Sequence, residues 1–74
     1  MKLDLHGHNI HAAWRIFNTR ITDAYYNKQR TVVVVTGQGA IMHEFQSWCA
    51  QHPHVIAWTN ANNPGSYKIS LKKG

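Results

Sequence analysis

Asp4 and His6 are the two side chains of this sequence best suited to chemistry, and they lie two residues apart in the segment "LDLHGH". Histidine, with an ordinary pKa of about 6.5, can accept or donate a proton near neutral pH. A carboxylate beside it can orient the ring, polarise a nucleophile or hold a metal ion. The chain has eight Lys and Arg against three Asp and Glu, a formal net charge of +5. This excess favours a polyanionic partner, of which nucleic acid is the commonest.

The spacing of this pair leaves two interpretations open. Side chains two residues apart on a flat strand point the same way, about 7 Å apart. That distance predicts no direct hydrogen bond between Asp4 and His6, although both could reach one bound phosphodiester. The alternative is that Asp4 bonds a backbone amide and His6 only ends the strand. Spacing alone favours this alternative.

A second candidate is the loop "TGQG" at residues 36–39, between a predicted strand and a predicted helix. Glycine lets the backbone approach a ligand closely, and a helix N-terminus attracts phosphate. The same residues would serve equally well as a tight turn. The loop lacks the third glycine and the Lys-Ser/Thr of nucleotide-binding motifs. Gly37, Gln38 and Gly39 are therefore candidates for contacts to nucleic acid.

Three histidines near the N-terminus, His6, His8 and His11, do not predict a metal site. They fall on a strand end, a loop and a helix start, which would not converge unaided, and no cysteine lies near them. The single cysteine, Cys49, excludes an internal disulfide and reads as a core residue, not a reactive thiol.

Apolar periodicity predicts the elements that must position these residues. In chain order these are a strand at 2–5, a helix of about four turns after Asn9, a strand at 31–35, a helix at 40–51, and strands at 55–58 and 67–71. Right-handed crossovers would make the early strands parallel, and a short turn would make the last two antiparallel. The predicted fold class is α/β: a two-layer sandwich, β-α-β-α-β-β, whose four-stranded mixed sheet carries both helices on one face.

The pattern also predicts what is buried. Four consecutive valines at 32–35 indicate a central strand buried on both faces. Lys68 alternates with apolar residues of the last strand, so it should lie on the open face with Asp4, either holding a phosphate or simply solvated. Four large aromatic side chains are expected in the core and not as platforms for bases: Trp14, Phe17, Trp48 and Trp58.

Length and composition set the remaining limits. Seventy-four residues make one domain, residues 1–74, near the lower limit for unaided folding. No apolar run approaches the ~20 residues needed to span a membrane, and no signal peptide is visible. We expect a cytoplasmic protein that is a monomer or a module of a longer chain.

"LDLHG", "VVVVTGQG" and "HPHV", in this order and spacing, resemble a Smr (small MutS-related) domain over residues 3–71. The resemblance implies a fold similar to the C-terminal domain of translation initiation factor three. It also implies a nucleic-acid-binding endonuclease that nicks DNA or cleaves RNA. The "DLH" motif of the family falls on Asp4, Leu5 and His6, which become the predicted catalytic residues. This reverses the preference left by spacing alone.

Two alternatives follow from the same resemblance. On RNA, His6 would take the proton of a 2′-hydroxyl and backbone amides of Gly37 to Gly39 would steady the phosphate, with no metal needed. On DNA, Asp4 would help bind a divalent ion (Mg or Mn) that activates water. The alternative function is a non-catalytic module that binds nucleic acid or docks on the ribosome. Gln38 favours it, since the family usually has Lys or Arg there.

Overall fold

All six predicted elements are present in the predicted order. The computed structural model describes residues 2–37, 39–61 and 65–73. The elements are β1 (Lys2–Asp4), α1 (Ile10–Tyr26), β2 (Thr31–Val35), α2 (Ala40–Gln51), β3 (Val55–Asn60) and β4 (Ser66–Leu71). Asn9 caps α1 as its residue type indicates, because its side-chain oxygen accepts the Ala12 N–H at 2.8 Å. No helix in the described part of the chain is long and apolar enough to cross a membrane.

The sheet is mixed, with the strand order β1-β2-β4-β3. β1 runs parallel to β2, and β4 runs antiparallel to both β2 and β3, which confirms the predicted directions. In the register, Asp4 lies opposite Val35, and Val35 lies opposite Ser66. The ends of β1 and β2 therefore meet the start of β4 at one edge of the sheet.

The core lies between the two helices and one face of the sheet. The ring of Phe17 on α1 meets Phe45 on α2 edge to face at 5.4 Å, and Phe45 packs on Tyr67 of β4 at 4.7 Å. Phe17, Phe45 and Trp48 are buried, as is Cys49, while Trp58 is half-buried against the core. This packing confirms the predicted two-layer arrangement.

Two predictions about burial are wrong. Val32 and Val34 are fully buried, but Val33 and Val35 are only half-buried, because the described residues form no second layer over their face of the sheet. Trp14 is 45% exposed instead of buried. The buried stripe of α1 runs through Ala13 and continues one and two turns later, and Trp14 lies about 100° round the helix from Ala13. Trp14 thus falls at the border of the core.

Candidate functional site

Asp4 and His6 are in direct contact at the end of β1. The Asp4 Oδ1 atom is hydrogen-bonded to Nδ1 of the His6 ring and accepts the His6 backbone N–H at 3.0 Å. The expectation of no direct bond is therefore wrong. It assumed a flat strand, whereas β1 ends at Asp4 and the chain turns at Gly7, whose φ is +84°. Past the strand end, the His6 ring can fold back onto the carboxylate.

The bond defines the chemical state of the pair. The His6 ring, and then the His6 backbone N–H, hold the pKa of the Asp4 carboxyl below its ordinary value, so Asp4 is ionised at neutral pH. An ionised carboxylate only accepts hydrogen bonds, so Nδ1 carries the proton. In the neutral form of the ring, the lone pair is therefore on Nε2. Both side chains remain open to solvent, 66% exposed for His6 and 53% for Asp4. The pair is thus an oriented, accessible base.

The loop after β2 lies against His6, and it is held there by hydrogen bonds to Gly65, the residue before β4. The Gly65 carbonyl accepts hydrogen bonds from the Thr36 and Gly37 backbone N–H groups at 2.6 and 3.1 Å, and from Thr36 Oγ1 at 3.0 Å. A Cβ atom on Gly65 would lie 2.9 Å from the Gly37 carbonyl carbon and oxygen. A Cβ on Gly37 would lie 3.2 Å from Cβ of His6. Gly37 therefore packs closely against both His6 and Gly65, with no room for a side chain on Gly65.

This arrangement changes the predicted role of the glycine loop. The Gly37 N–H already donates to Gly65, so it is not available to a phosphate as predicted. Gly37 serves instead to let the loop approach His6. Gly39 lies at the N-cap of α2 and makes no side-chain cap hydrogen bond, so the first amides of α2 are the ones left for an anion. Gln38 lies outside the described residues.

A cleft of about 800 Å³ opens beside His6. It is lined by the start of α1, the loop after β2 and the start of α2: His6, Gly7, His8, Asn9, Ile10, His11, Thr36, Gly37, Gly39, Ala40 and Ile41. Two helix N-termini therefore face one concavity beside an oriented histidine. Over the described residues, no group of three or more His, Cys, Asp or Glu could hold a metal ion.

Lys68 lies on the open face of the sheet, as predicted, but outside the cleft. It is exposed, whereas Tyr67 and Ile69 on either side of it are buried. In the register it pairs with Val33, which is two residues along the strand from the partner of Asp4, and it lies two strands across the sheet from Asp4. Strand spacing and rise place its Cα about 12 Å from that of Asp4. The structure therefore does not bring Lys68 to the Asp4–His6 pair.

Two residues that build the site were not among the predicted site residues. Gly65 supplies the carbonyl that holds the loop, with a φ of +77° that favours glycine. Thr36 is buried and its hydroxyl donates to the Gly65 and Gly37 carbonyls. In the sequence, Gly65 stands as a lone glycine just before the last strand. The contact itself joins residues 29 positions apart.

Comparison with known proteins identifies the family of this chain. The Smr domain family matches residues 3–67. No curated protein matches the chain. Among solved structures, the Smr domain of Thermus thermophilus MutS2 superposes with a TM-score of 0.87 at 17% identity, covering 96% of each chain. YdaL, a stand-alone small MutS-related protein from Escherichia coli, superposes with a TM-score of 0.86 at 19% identity, covering 97% of this chain and 64% of that one. At these identities the two structures show the shared fold.

Proposed function

This chain belongs to the Smr domain family, and we propose that it is a nucleic-acid-binding endonuclease that cleaves RNA, with Asp4 and His6 as its catalytic pair. The observation that carries the proposal is the hydrogen bond between Asp4 Oδ1 and Nδ1 of His6, a residue that lines the cleft. That bond turns Nε2 of His6 into the free base. The net charge of +5 favours a polyanionic substrate. The family, a nucleic-acid-binding and nuclease-type module, favours nucleic acid as that substrate.

The first step is removal of a proton from a 2′-hydroxyl by Nε2 of His6. The 2′-oxygen attacks the adjacent phosphorus, and the bond from phosphorus to the 5′-oxygen breaks. The proton held by His6 passes to that leaving oxygen. The products are a 2′,3′-cyclic phosphate and a 5′-hydroxyl. Asp4 stabilises the imidazolium that exists between the two proton transfers, as a carboxylate does for a catalytic histidine.

The charge that develops on the phosphate is stabilised by the start of α2. Ala40 and Ile41 line the cleft, and the helix presents uncapped amides and the positive end of its dipole there. Preorganised donors of this kind can contribute a hundredfold or more to the rate. We propose that Lys68 binds another phosphate of the same nucleic acid, because it lies on the open face of the sheet, away from the cleft.

A DNA route would need a divalent ion to activate water. Asp4 is the carboxylate at the site, and its Oδ1 atom already accepts two hydrogen bonds from His6. An ion there would take most of its ligands from substrate phosphates and water. The described residues thus do not form a metal site of their own, and the proposed route uses no metal ion. The remaining alternative is binding without cleavage, on nucleic acid or on the ribosome.

Cleavage of a labelled RNA and of the same sequence with 2′-deoxyribose, each with and without EDTA, tests the proposal. The RNA should be cut in EDTA and the 2′-deoxy strand should not. His6→Ala should lower the rate on RNA by about 10²–10⁴-fold. His8→Ala is the matched control, because His8 lines the same cleft without contacting Asp4. Its rate should stay within a few fold of the parent.

Three outcomes would contradict the proposal. Cutting of the 2′-deoxy strand that stops in EDTA would select the metal route. Equal losses in His6→Ala and His8→Ala would show that the cleft binds substrate without His6 acting as base. A parent that binds RNA and cuts neither strand would leave the non-catalytic module.

A further inference from the structure

The end of the sheet opposite the cleft carries a cluster of aromatic and basic side chains. It forms where α1 ends, β2 begins and β4 ends. The Arg30 carbonyl accepts the Leu71 N–H and the His54 carbonyl accepts the Lys72 N–H, both at 2.9 Å. These bonds fix the segments relative to one another. We define the basic–aromatic end as the side chains that these segments present there: Tyr25, Tyr26, Lys28, Arg30, His54 and Lys73.

Its aromatic part is an exposed ring supported by two others. The His54 ring stacks on Tyr25 with 3.8 Å between centroids and 7° between planes. Tyr26 is 72% exposed and meets both rings edge on, at 5.2 Å from Tyr25 and 6.0 Å from His54. An exposed ring held in place by neighbours offers its face to an unpaired base, which is how proteins bind single strands without reading sequence.

Its basic part surrounds a groove of about 220 Å³ lined by Lys28, Gln29, Arg30 and Lys73. Among the described residues, no Lys or Arg forms an ion pair with a described carboxylate. The nearest acid along the chain, Asp23, lies on α1 one turn before Tyr26 and does not line the groove. Three uncompensated cations around a small groove attract a phosphate group.

Lys28 occupies a backbone position that favours glycine. Its φ is +63°, and it is the one residue other than glycine with positive φ in the described part of the chain. The Lys28 N–H donates to Tyr25 at 3.1 Å and the Gln29 N–H donates to Ala24 at 2.9 Å, the pair of bonds of a Schellman helix end. A lysine there complements the helix dipole. It also places a charge at the groove that glycine could not supply.

We propose that the basic–aromatic end binds a second segment of single-stranded nucleic acid, with a phosphate in the groove and an unpaired base on Tyr26. The class of ligand rests on the proposed function, but the site is separate from the cleft. Residues 30 to 36 along β2 separate the two, which is about 20 Å at the rise of a strand. At an axial rise of about 3.4 Å per nucleotide of a stacked strand, roughly six nucleotides would span this distance.

Fluorescence anisotropy with a twelve-nucleotide single strand of DNA in EDTA tests this inference, because the proposed cleavage route cannot cut that probe. Tyr26→Ala should weaken binding about five- to a hundredfold, the usual effect of losing one stacking ring. Tyr26→Phe keeps the ring and should bind like the parent. The matching duplex, whose bases are paired, should not distinguish Tyr26→Ala from the parent.

The charge is tested by a matched pair of arginines. Arg30→Gln should lower the slope of log affinity against log salt by about 0.7, one phosphate contact to a single strand. Arg20→Gln removes the same charge from an exposed position on α1 outside the groove, and should leave the slope unchanged. Lys28→Gly should weaken binding while its Tm stays at or above that of the parent, because glycine suits the positive φ.

Parent-like single-strand affinity in Tyr26→Ala would overturn the stacking site. Equal slopes in Arg30→Gln and Arg20→Gln would show that the net charge acts without a groove, and would also overturn it. The predicted Tyr26 and Arg30 effects in a protein that cuts no RNA would support this inference while contradicting the proposed function.

Discussion

Gly65 should be the glycine whose replacement most damages the site, and a second glycine provides its control. Gly65 and Gly7 have similar backbone conformations, with φ of +77° and +84°. They differ in what a Cβ atom would meet. At Gly65 it would lie 2.9 Å from the Gly37 carbonyl group, and at Gly7 it would meet nothing within 4 Å. The pair therefore separates backbone strain from steric overlap.

The expected magnitudes follow from that difference. An L-residue in the left-handed region costs about 1–2 kcal/mol, which applies to both Gly65→Ala and Gly7→Ala. Overpacking against backbone adds about 1–3 kcal/mol at Gly65 alone. Gly65→Ala should then lower the free energy of unfolding by about 2–5 kcal/mol, against 1–2 kcal/mol for Gly7→Ala. In a domain of this size each kcal/mol lowers the Tm by about 4–8 °C.

Urea unfolding followed by circular dichroism measures both variants on one scale. Because Gly65 holds Gly37 and Gly37 contacts His6, the folded Gly65→Ala variant should also cleave RNA more slowly than the parent. Equal losses of stability in the two variants would refute the close contact between Gly65 and Gly37. A Gly65→Ala variant as stable as the parent would refute it as well.

Other side chains give simpler tests. Phe45→Ala should lower the free energy of unfolding by about 3–5 kcal/mol, seen as a large fall in Tm, because its ring is fully buried. Burial raises the pKa of Cys49 to about 12, so a thiol reagent at pH 8 should react with Cys49 only after urea unfolds the chain. Burial also lowers the pKa of His52. The unfolded chain then binds this proton first, so stability should fall as pH drops below 6.5 in the parent and less in His52→Phe, measured by Tm.

The order of the elements could be predicted because local signals mark it. Gly39 and Pro53 bracket α2, and the apolar periods of α1 and α2 are clear. The family resemblance rests on motifs at β1 and after β2. The direct bond between Asp4 and His6 could not be predicted, since it depends on β1 ending at Asp4 and not one residue later.

Contacts between distant parts of the chain escaped prediction for another reason. The Gly65 carbonyl accepts a hydrogen bond from the Gly37 N–H, and no local sequence pattern indicates which distant carbonyl and N–H will pair. Val33 is half-buried because both helices pack on the other face of the sheet, and four valines in a row do not reveal this. The exposure of Trp14 likewise depends on which part of α1 faces the core, and Trp14 lies about 100° round the helix from the buried Ala13.

The most direct test of the central claim is a double-mutant cycle on RNA cleavage with Asp4→Asn, His6→Ala and the variant carrying both. Asp4 acts through His6, so removing Asp4 when His6 is already absent should cost almost nothing. The account predicts that the double variant cleaves RNA at the rate of His6→Ala alone, with each single variant slower than the parent by a hundredfold or more. Losses that multiply in the double variant, or single variants that cleave like the parent, would contradict it.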